Sequence, residues 1–375
     1  MIDFEKRLSS MKERRQGSRE RAILEAMTFD HALEAIAANT EIRKSESFEQ
    51  IKEPAGVKYA IGAMAAVEEK YTEVSLREGN RVADSLIKSL EGRGIYATKR
   101  LQGSVALDIH IRGYSDVDML VIENSTILIE SPRVEPNTYL PASDKRGMKE
   151  IIKDLREQSI TTLNTNFPQA NIAAGGKSIC LSGGSLKRKV DIVPACWYDS
   201  IKYQNSQQEK DRGIKIYNKT SDELFLNYPF THIANVNQKD TLYSGNLKCV
   251  IRLMKNIIAD MPDYKKKIAT NLTSYDLAAI AYHMDNNLIA PSYMRLSLVE
   301  KLRSHLTTLV AVEGYREALL VPDGTRKIFD KEEKFTALSM LHSEVDELAK
   351  EIAREINPLE ALYKPETLNK YIFQH

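Results

Sequence analysis

Cysteine is scarce in this chain. The three residues, Cys180, Cys196 and Cys249, form no Cys-x-x-Cys pair and no Cys/His cluster at zinc spacing. This argues against a structural zinc site, and an odd count without a framework fits a reducing compartment. An excess of charge is missing too: 53 Lys and Arg stand against 52 Asp and Glu, for a formal net charge of +1. Proteins built to coat nucleic acid carry a strong basic excess, so that class is disfavoured, although a local basic cleft stays open. No apolar run reaches the ~18 residues of a spanning helix, so no membrane partner is expected. The opening residues Met1 to Arg7 are charged at once and lack the apolar core of a signal peptide. Cytoplasm is the expected location. Residues 1–50 hold no repeat or low-complexity tract.

What is present is ordinary in bulk: 42% hydrophobic and 28% charged residues over 375 positions, a length that suits two lobes. Residues 1–50 are rich in helix formers. They carry a basic run, Arg14, Arg15, Arg19 and Arg21, read most simply as a solvated helix face and otherwise as a nucleic-acid contact. After Pro54 a helical pattern runs to about Leu90, with Val82, Ala83, Leu86, Ile87 and Leu90 on one stripe and Gly92 and Gly94 closing it.

Val105, Leu107, Ile109 and Ile111 alternate as in a half-buried strand, and Asp116 to Ile122 reads as a second strand after the turn Gly113-Tyr114-Ser115. Residues 123–147, with Pro132, Pro136 and Pro141, read as a long loop, and 148–166 as a helix. Ser178–Leu181 and Lys189–Pro194 read as strands around Ser182-Gly183-Gly184-Ser185. Residues 199–213 read as an exposed loop, and helices alone are expected from about Ser244. The pattern is α/β followed by an all-helical lobe.

Three carboxylates carry the chemistry. Asp116 and Asp118, two apart on a strand, face the same way, and adjacent carboxylates repel unless a cation lies between them. Asp191 sits in an otherwise apolar strand, where an unpaired charge is costly. It needs a cation: either a metal or one of the neighbouring Lys187, Arg188 and Lys189. Twelve residues before Asp116, Gly103-Ser104 supplies a turn whose backbone and hydroxyl can approach a phosphate. Oxygen ligands suit Mg²⁺.

Leu101-Gln102-Gly103-Ser104, Asp116-Val117-Asp118 and Val190-Asp191-Ile192 together resemble the active site of the DNA polymerase β-type nucleotidyltransferases. Within these, the pattern is similar to the bacterial cyclic-oligonucleotide synthases, the CD-NTases, and their animal relative cyclic GMP-AMP synthase. The resemblance implies an α/β (α+β) core with a mixed sheet and a long spine helix, plus a C-terminal helical lobe. It implies catalysis with two Mg²⁺ ions (Mn²⁺ as the alternative) held by Asp116, Asp118 and Asp191, with Gly103 and Ser104 on the donor's β,γ-phosphates. The divisions expected are 1–53 as an N-terminal helical segment, 54–228 as the nucleotidyltransferase core and 229–375 as the helical lobe.

In that lobe Leu247, Val250, Ile251, Met254, Ile257 and Ile258 form an apolar helix face, while Lys248, Arg252 and Lys255 form a cationic stripe. A solvated basic face is the competing reading. Thr273 with Asp276 makes a capping box at the next helix start. By the same resemblance, Lys255 matches a triphosphate contact, Ser274 the serine beside it, and Tyr275 the aromatic that stacks on a base. The likeness spans roughly residues 55–285; the last ninety residues carry no matching motif, and the zinc-binding insertion of the animal enzyme is absent. The implied partners are nucleoside triphosphates and an effector protein that senses the product in antiphage signalling. Nucleic acid is not expected as a substrate. The alternatives are a nucleotidyltransferase acting on RNA or tRNA 3′ ends, and an inactive fold used as a binding module.

Overall fold

The computed structural model describes residues 2–16, 46–113, 115–136 and 139–373. Arg19 and Arg21 of the basic run lie outside them. In chain order the elements are α1 (Phe4–Gln16), α2 (Ser47–Gln50), α3 (Ala55–Met64), α4 (Glu69–Glu91), β1 (Ala97–Gln102), α5 (Gly103–Ala106), β2 (Val117–Ile129) and α6 (Met148–Asn166). They continue with β3 (Asn171–Ala174), β4 (Ile179–Ser182), β5 (Val190–Asp199), α7 (Ile201–Ser206), β6 (Gly213–Asn218) and β7 (Glu223–Asn227). The rest is helical: α8 (Pro229–Leu242), α9 (Asn246–Asp260), α10 (Asp263–Ala269), α11 (Ser274–Tyr282), α12 (Ser297–Ala311), α13 (Glu313–Ala318), α14 (Glu332–Ile356) and α15 (Pro365–Asn369). No described helix is long and apolar enough to cross a membrane.

Contacts divide the chain into two compact units. One comprises Val67–Asp108 and Ser115–Asn237 and holds the sheet. The other comprises Met1–Ala66, Ile109–Tyr114 and Gln238–His375.

The sheet is mixed, as expected. Its order is β1-β2-β5-β4-β3, with β6 joining β5 to β7. The central pair, β2 and β5, is parallel; every other pairing is antiparallel. Strand periodicity sorts the side chains. Val117, Met119 and Val121 of β2 and Val190 and Ile192 of β5 face Val82, Ala83, Leu86 and Leu90 of α4 and Ile152 and Leu155 of α6. Each fully buried aliphatic contributes roughly 1.5–3 kcal/mol. The stripe read from residues 82–90 is therefore the core face of α4. Gly79 lets that helix come close: a Cβ there would lie 2.7 Å from Val117 Cγ1. The other sheet face carries Leu120, Ile122, Val193, Ala195 and Trp197.

Four local expectations differ from the structure. The first strand of the pair is Ala97–Gln102, upstream of the alternating residues. Val105, Leu107, Ile109 and Ile111 are all buried, but they lie on a helical turn and an irregular stretch broken by Asp108 at φ +54°. The long helix after Pro54 is two helices, α3 and α4, parted at Ala65–Glu68, where neither Gly nor Pro marks the break. β2 runs on to Ile129 into the expected loop. Residues 199–213 are structured: the Ser200 hydroxyl accepts from Tyr203 N at 3.0 Å and caps α7, and Gln204 and Asp211 are buried.

In the helical unit, Arg14 and Arg15 belong to neither of the readings offered for the basic run. Arg14 is paired with Asp260 and donates to Asn256 Oδ1 at 3.0 Å. Arg15 is paired with Glu46 and donates to Gly62 O at 2.8 Å. α1 is thus fastened by its cations to the unit's own interior.

Candidate active site

The sheet unit aligns the carboxylates by register. Asp118 pairs across β2 with Gln102 on β1 and with Asp191 on β5. In-register neighbours on adjacent strands share a face about 4.8 Å apart, so Asp118 and Asp191 stand side by side. Their flanking residues Val117, Met119, Val190 and Ile192 point into the core. Asp116 lies one residue before β2; Val117 N still bonds to Lys189 O at 3.2 Å, which holds this end of the strand.

Lys189 makes its ion pair with Asp116, Nζ to Oδ2 at 2.7 Å. Arg188 instead lies over the Tyr71 ring at 3.9 Å. Asp191 keeps a buried oxygen, Oδ1, with no hydrogen-bond partner. Burial, and after it the charge of Asp116, pushes the Asp191 carboxyl above its ordinary range; hydrogen bonds from Cys180 and Ser178 and the charge of Lys189 oppose that shift. A carboxylate with an orphaned buried oxygen beside two more carboxylates offers hard oxygen donors of the kind a divalent cation takes, although among the described residues no group of three or more His, Cys, Asp or Glu is already drawn together as a metal site.

Gly103 completes the cradle. It has φ +75°, and a Cβ there would lie 2.1 Å from Asp118 Oδ2. Only glycine lets this backbone meet that carboxylate. Ser104 follows in the short turn α5.

Sequence reasoning missed Cys180 and Ser178. Cys180 is the register partner of Asp191 on β4, and Ser178 lies two residues before it. Burial, then Asp191, pushes the Cys180 thiol up to about 11, so it stays protonated and able to donate. The alternation Ser178-Ile179-Cys180-Leu181 carried the signal, but only the pairing of β4 with β5 gives it meaning.

The remaining candidates lie in the helical unit. Arg252 and Lys255 are 6% and 7% exposed, so this part of the stripe is packed and the solvated reading fails for it. Arg252 Nε donates to Met64 O at 2.9 Å. Lys248 N donates to Asp240 Oδ1 at 2.9 Å. Burial first, and then Lys255 and Arg252, depress His110 to about 4.

α11 starts on the capping box read from the sequence. Thr273 Oγ1 accepts from Asp276 N at 3.3 Å and Thr273 N donates to Asp276 Oδ2 at 3.0 Å. Ser274 is exposed and Tyr275 half-buried beside it. The Tyr275 hydroxyl donates to Asp323. The structure therefore gathers Asp116, Asp118, Asp191, Gly103 and Ser104 in one unit and keeps Lys255, Ser274 and Tyr275 in the other.

Comparison with known proteins adds to this geometry. Residues 234–351 match the cGAS/DncV-like nucleotidyltransferase C-terminal helical domain. The chain is 35% identical over 361 residues to the cyclic dinucleotide synthase CdnE of Yersinia aleksiciae, covering 94% of this chain and 93% of that protein. Among solved structures it is similar to a STING-associated CdnE c-di-GMP synthase from Flavobacteriaceae sp., with a TM-score of 0.71, 24% identity and coverage of 96% and 99% of the two chains. The corresponding enzyme from Capnocytophaga granulosa gives a TM-score of 0.65, 27% identity and coverage of 91% and 97%. The chain belongs to the cGAS/DncV-like nucleotidyltransferases, the CD-NTases, and is an enzyme of that class, making cyclic oligonucleotide second messengers.

Proposed function

We propose that this enzyme joins two nucleoside triphosphates into a cyclic dinucleotide, using Asp116, Asp118 and Asp191 to hold two Mg²⁺ ions, with Mn²⁺ as a substitute. The name of the Yersinia relative favours a ring of two nucleotides, and that of the Capnocytophaga enzyme makes GTP the first substrate to try. When bound, the metals lower the pKa of the attacking hydroxyl and neutralise charge on the triphosphate. Gly103 N–H and the Ser104 hydroxyl take the β,γ-phosphates, and Lys255 adds a buried cation for the triphosphate. Ser274 supports it at a helix start, and Tyr275 stacks on a base. A ribose hydroxyl gives up its proton to solvent and attacks the α-phosphate: the O–Pα bond forms, the Pα–O bond to the β-phosphate breaks, and pyrophosphate leaves. A second attack closes the ring. The product acts through a separate effector protein.

The observation that carries this reading is the in-register pair Asp118 and Asp191, with the orphaned Asp191 Oδ1 and the Gly103 approach. The test is incubation with labelled ATP, GTP, CTP and UTP and Mg²⁺ or Mn²⁺, then phosphatase. A phosphatase-resistant cyclic species with two bases is expected. Linear ladders that need added RNA would replace this reading with 3′-end addition.

A further inference from the structure

The residues after 285, which carry no motif in the sequence, contain a turn built around Tyr275. Leu320 pairs with Lys327, and Val321 N bonds to Arg326 O at 3.0 Å. Inside the turn, Asp323 Oδ1 accepts from Thr325 N at 3.1 Å and from Thr325 Oγ1 at 2.8 Å. Its other oxygen, Oδ2, accepts from the Tyr275 hydroxyl. Arg326 lies with its guanidinium 5.7 Å from the Tyr275 ring centre and donates to Asp276 Oδ1 at 2.7 Å.

Asp276 is the hub of this arrangement. It is fully buried, at 0% exposure. Oδ2 takes Thr273 N at 3.0 Å and Thr273 Oγ1 at 2.7 Å. Oδ1 takes Arg326 and also Lys334 Nζ at 3.0 Å. Lys334 also reaches Ile328 O at 3.2 Å and Asp330 at 2.8 Å. Tyr275 is therefore held at both ends. Its backbone is fixed by the cap that Asp276 closes, and its hydroxyl is fixed by Asp323. Burial, then Asp323, pushes the phenol far above its ordinary value, so it stays a donor.

We propose that Asp323 and Arg326 are positioning residues for nucleotide binding: they set the orientation of the Tyr275 ring before a base arrives. This rests on the reading of Tyr275 as the stacking aromatic. A tyrosine at the second position of a helix would otherwise sample several rotamers, and the entropy of choosing one would fall on binding. With the rotamer fixed during folding, that loss no longer weakens association. One ring face is partly covered by Arg326, and the hydroxyl end is closed by the Asp323 turn. Stacking on a base needs a ring of fixed orientation, and these two contacts supply it. The turn thus gives the C-terminal region a part in substrate recognition without contact with the reacting atoms.

The test compares Asp323→Asn, Tyr275→Phe, Tyr275→Ala and the double variant Asp323→Asn/Tyr275→Phe. KM and kcat are measured for GTP and ATP with Mg²⁺, with urea midpoints as a check on folding. Asp323→Asn and Tyr275→Phe should each raise KM roughly 3- to 10-fold with kcat changed less than about 2-fold. The double variant should be no worse than either single one, because each removes the same phenol–carboxylate hydrogen bond. Tyr275→Ala should raise KM further. A raised KM in Tyr275→Ala with wild-type KM in Asp323→Asn overturns the positioning role alone, as do effects that multiply in the double variant. An unchanged KM in Tyr275→Ala removes Tyr275 from the nucleotide site, and the positioning role with it. If Asp323→Asn lowers the urea midpoint strongly, Tyr275→Phe, which keeps the ring and the turn, decides the matter by the same KM criterion.

Discussion

The two units place their functional groups by different means. In the sheet unit the main chain does it: residues 117–123 run beside 190–196 in parallel register, and Asp118 and Asp191 are neighbours because Val117 and Val190 are. In the helical unit the placement comes from buried ion hubs that join distant residues. Asp276 binds Arg326 and Lys334. Glu344 binds Arg7 and Lys265. Asp260 binds Arg14 and Tyr59. Ladder bonds form whatever the side chains are, so the sheet tolerates altered carboxylates. A hub that loses its carboxylate takes a buried partner from each of its cations.

That contrast is tested most severely at Asp191. Asp191→Asn should lower cyclic-product formation by more than the roughly 10–100-fold typical of outer-shell partners of a metal. The urea midpoint should not fall. Asp191 is a carboxyl whose folded pKa is raised, so its charge opposes folding as pH rises and a neutral amide removes that cost. A sharp fall in the midpoint would mean that the side chain, and not the register, holds β2 to β5.

The opposite pattern is expected at Asp276. Asp276→Ala strips the cap and one partner each from buried Lys334 and half-buried Arg326, both of which keep Asp330, and should cost about 2–3 kcal/mol of stability, read from the urea midpoint. A cost below about 1 kcal/mol would show that the hub is not what organises α11.

Acid should weaken the helical unit by a calculable slope. His110 and His305 are both depressed to about 4, chiefly by burial, against an unfolded value near 6.5. Between those values the unfolded chain binds more protons than the folded one. Stability is therefore full above about pH 6.5 and falls as pH drops, by up to about 1.4 kcal/mol per pH unit for each histidine. Urea midpoints at pH 7, 6 and 5 measure this, and His305→Gln should remove about half the slope. A flat profile would place both rings in contact with solvent.

The same contrast explains what could be read in advance. Asp116, Asp118, Asp191 and Gly103 stand out in the sequence because strand periodicity is local, and a carboxylate amid Val and Ile is conspicuous. The helix 148–166 and the stripe from Val82 to Leu90 were legible for the same reason. Alternation at 105–111 misled, because a helical turn and a left-handed Asp108 can bury every second residue without a strand. The hubs were illegible: Lys334 is 58 residues from Asp276, and Arg7 is 337 from Glu344. A solvated face stayed open as a reading of Arg252 and Lys255 because nothing local says that α9 is buried on nearly every side.

The smallest effect is expected at Lys189. Its ion pair with Asp116 is half-exposed, with side-chain exposures of 49% and 31%, and such pairs contribute about 0.2–1 kcal/mol. Lys189→Met should leave the urea midpoint almost unchanged. Yet the lysine neutralises part of the charge that a divalent cation would meet at Asp116 and Asp191. Without it, Mn²⁺ measured by electron paramagnetic resonance in the absence of nucleotide should bind tighter, by roughly 2- to 5-fold. Tighter binding with unchanged stability means that register alone sets the carboxylates and that Lys189 competes for them. Weaker binding would mean that the ion pair helps to aim Asp116, and the sheet unit would then share the side-chain logic of the helical one.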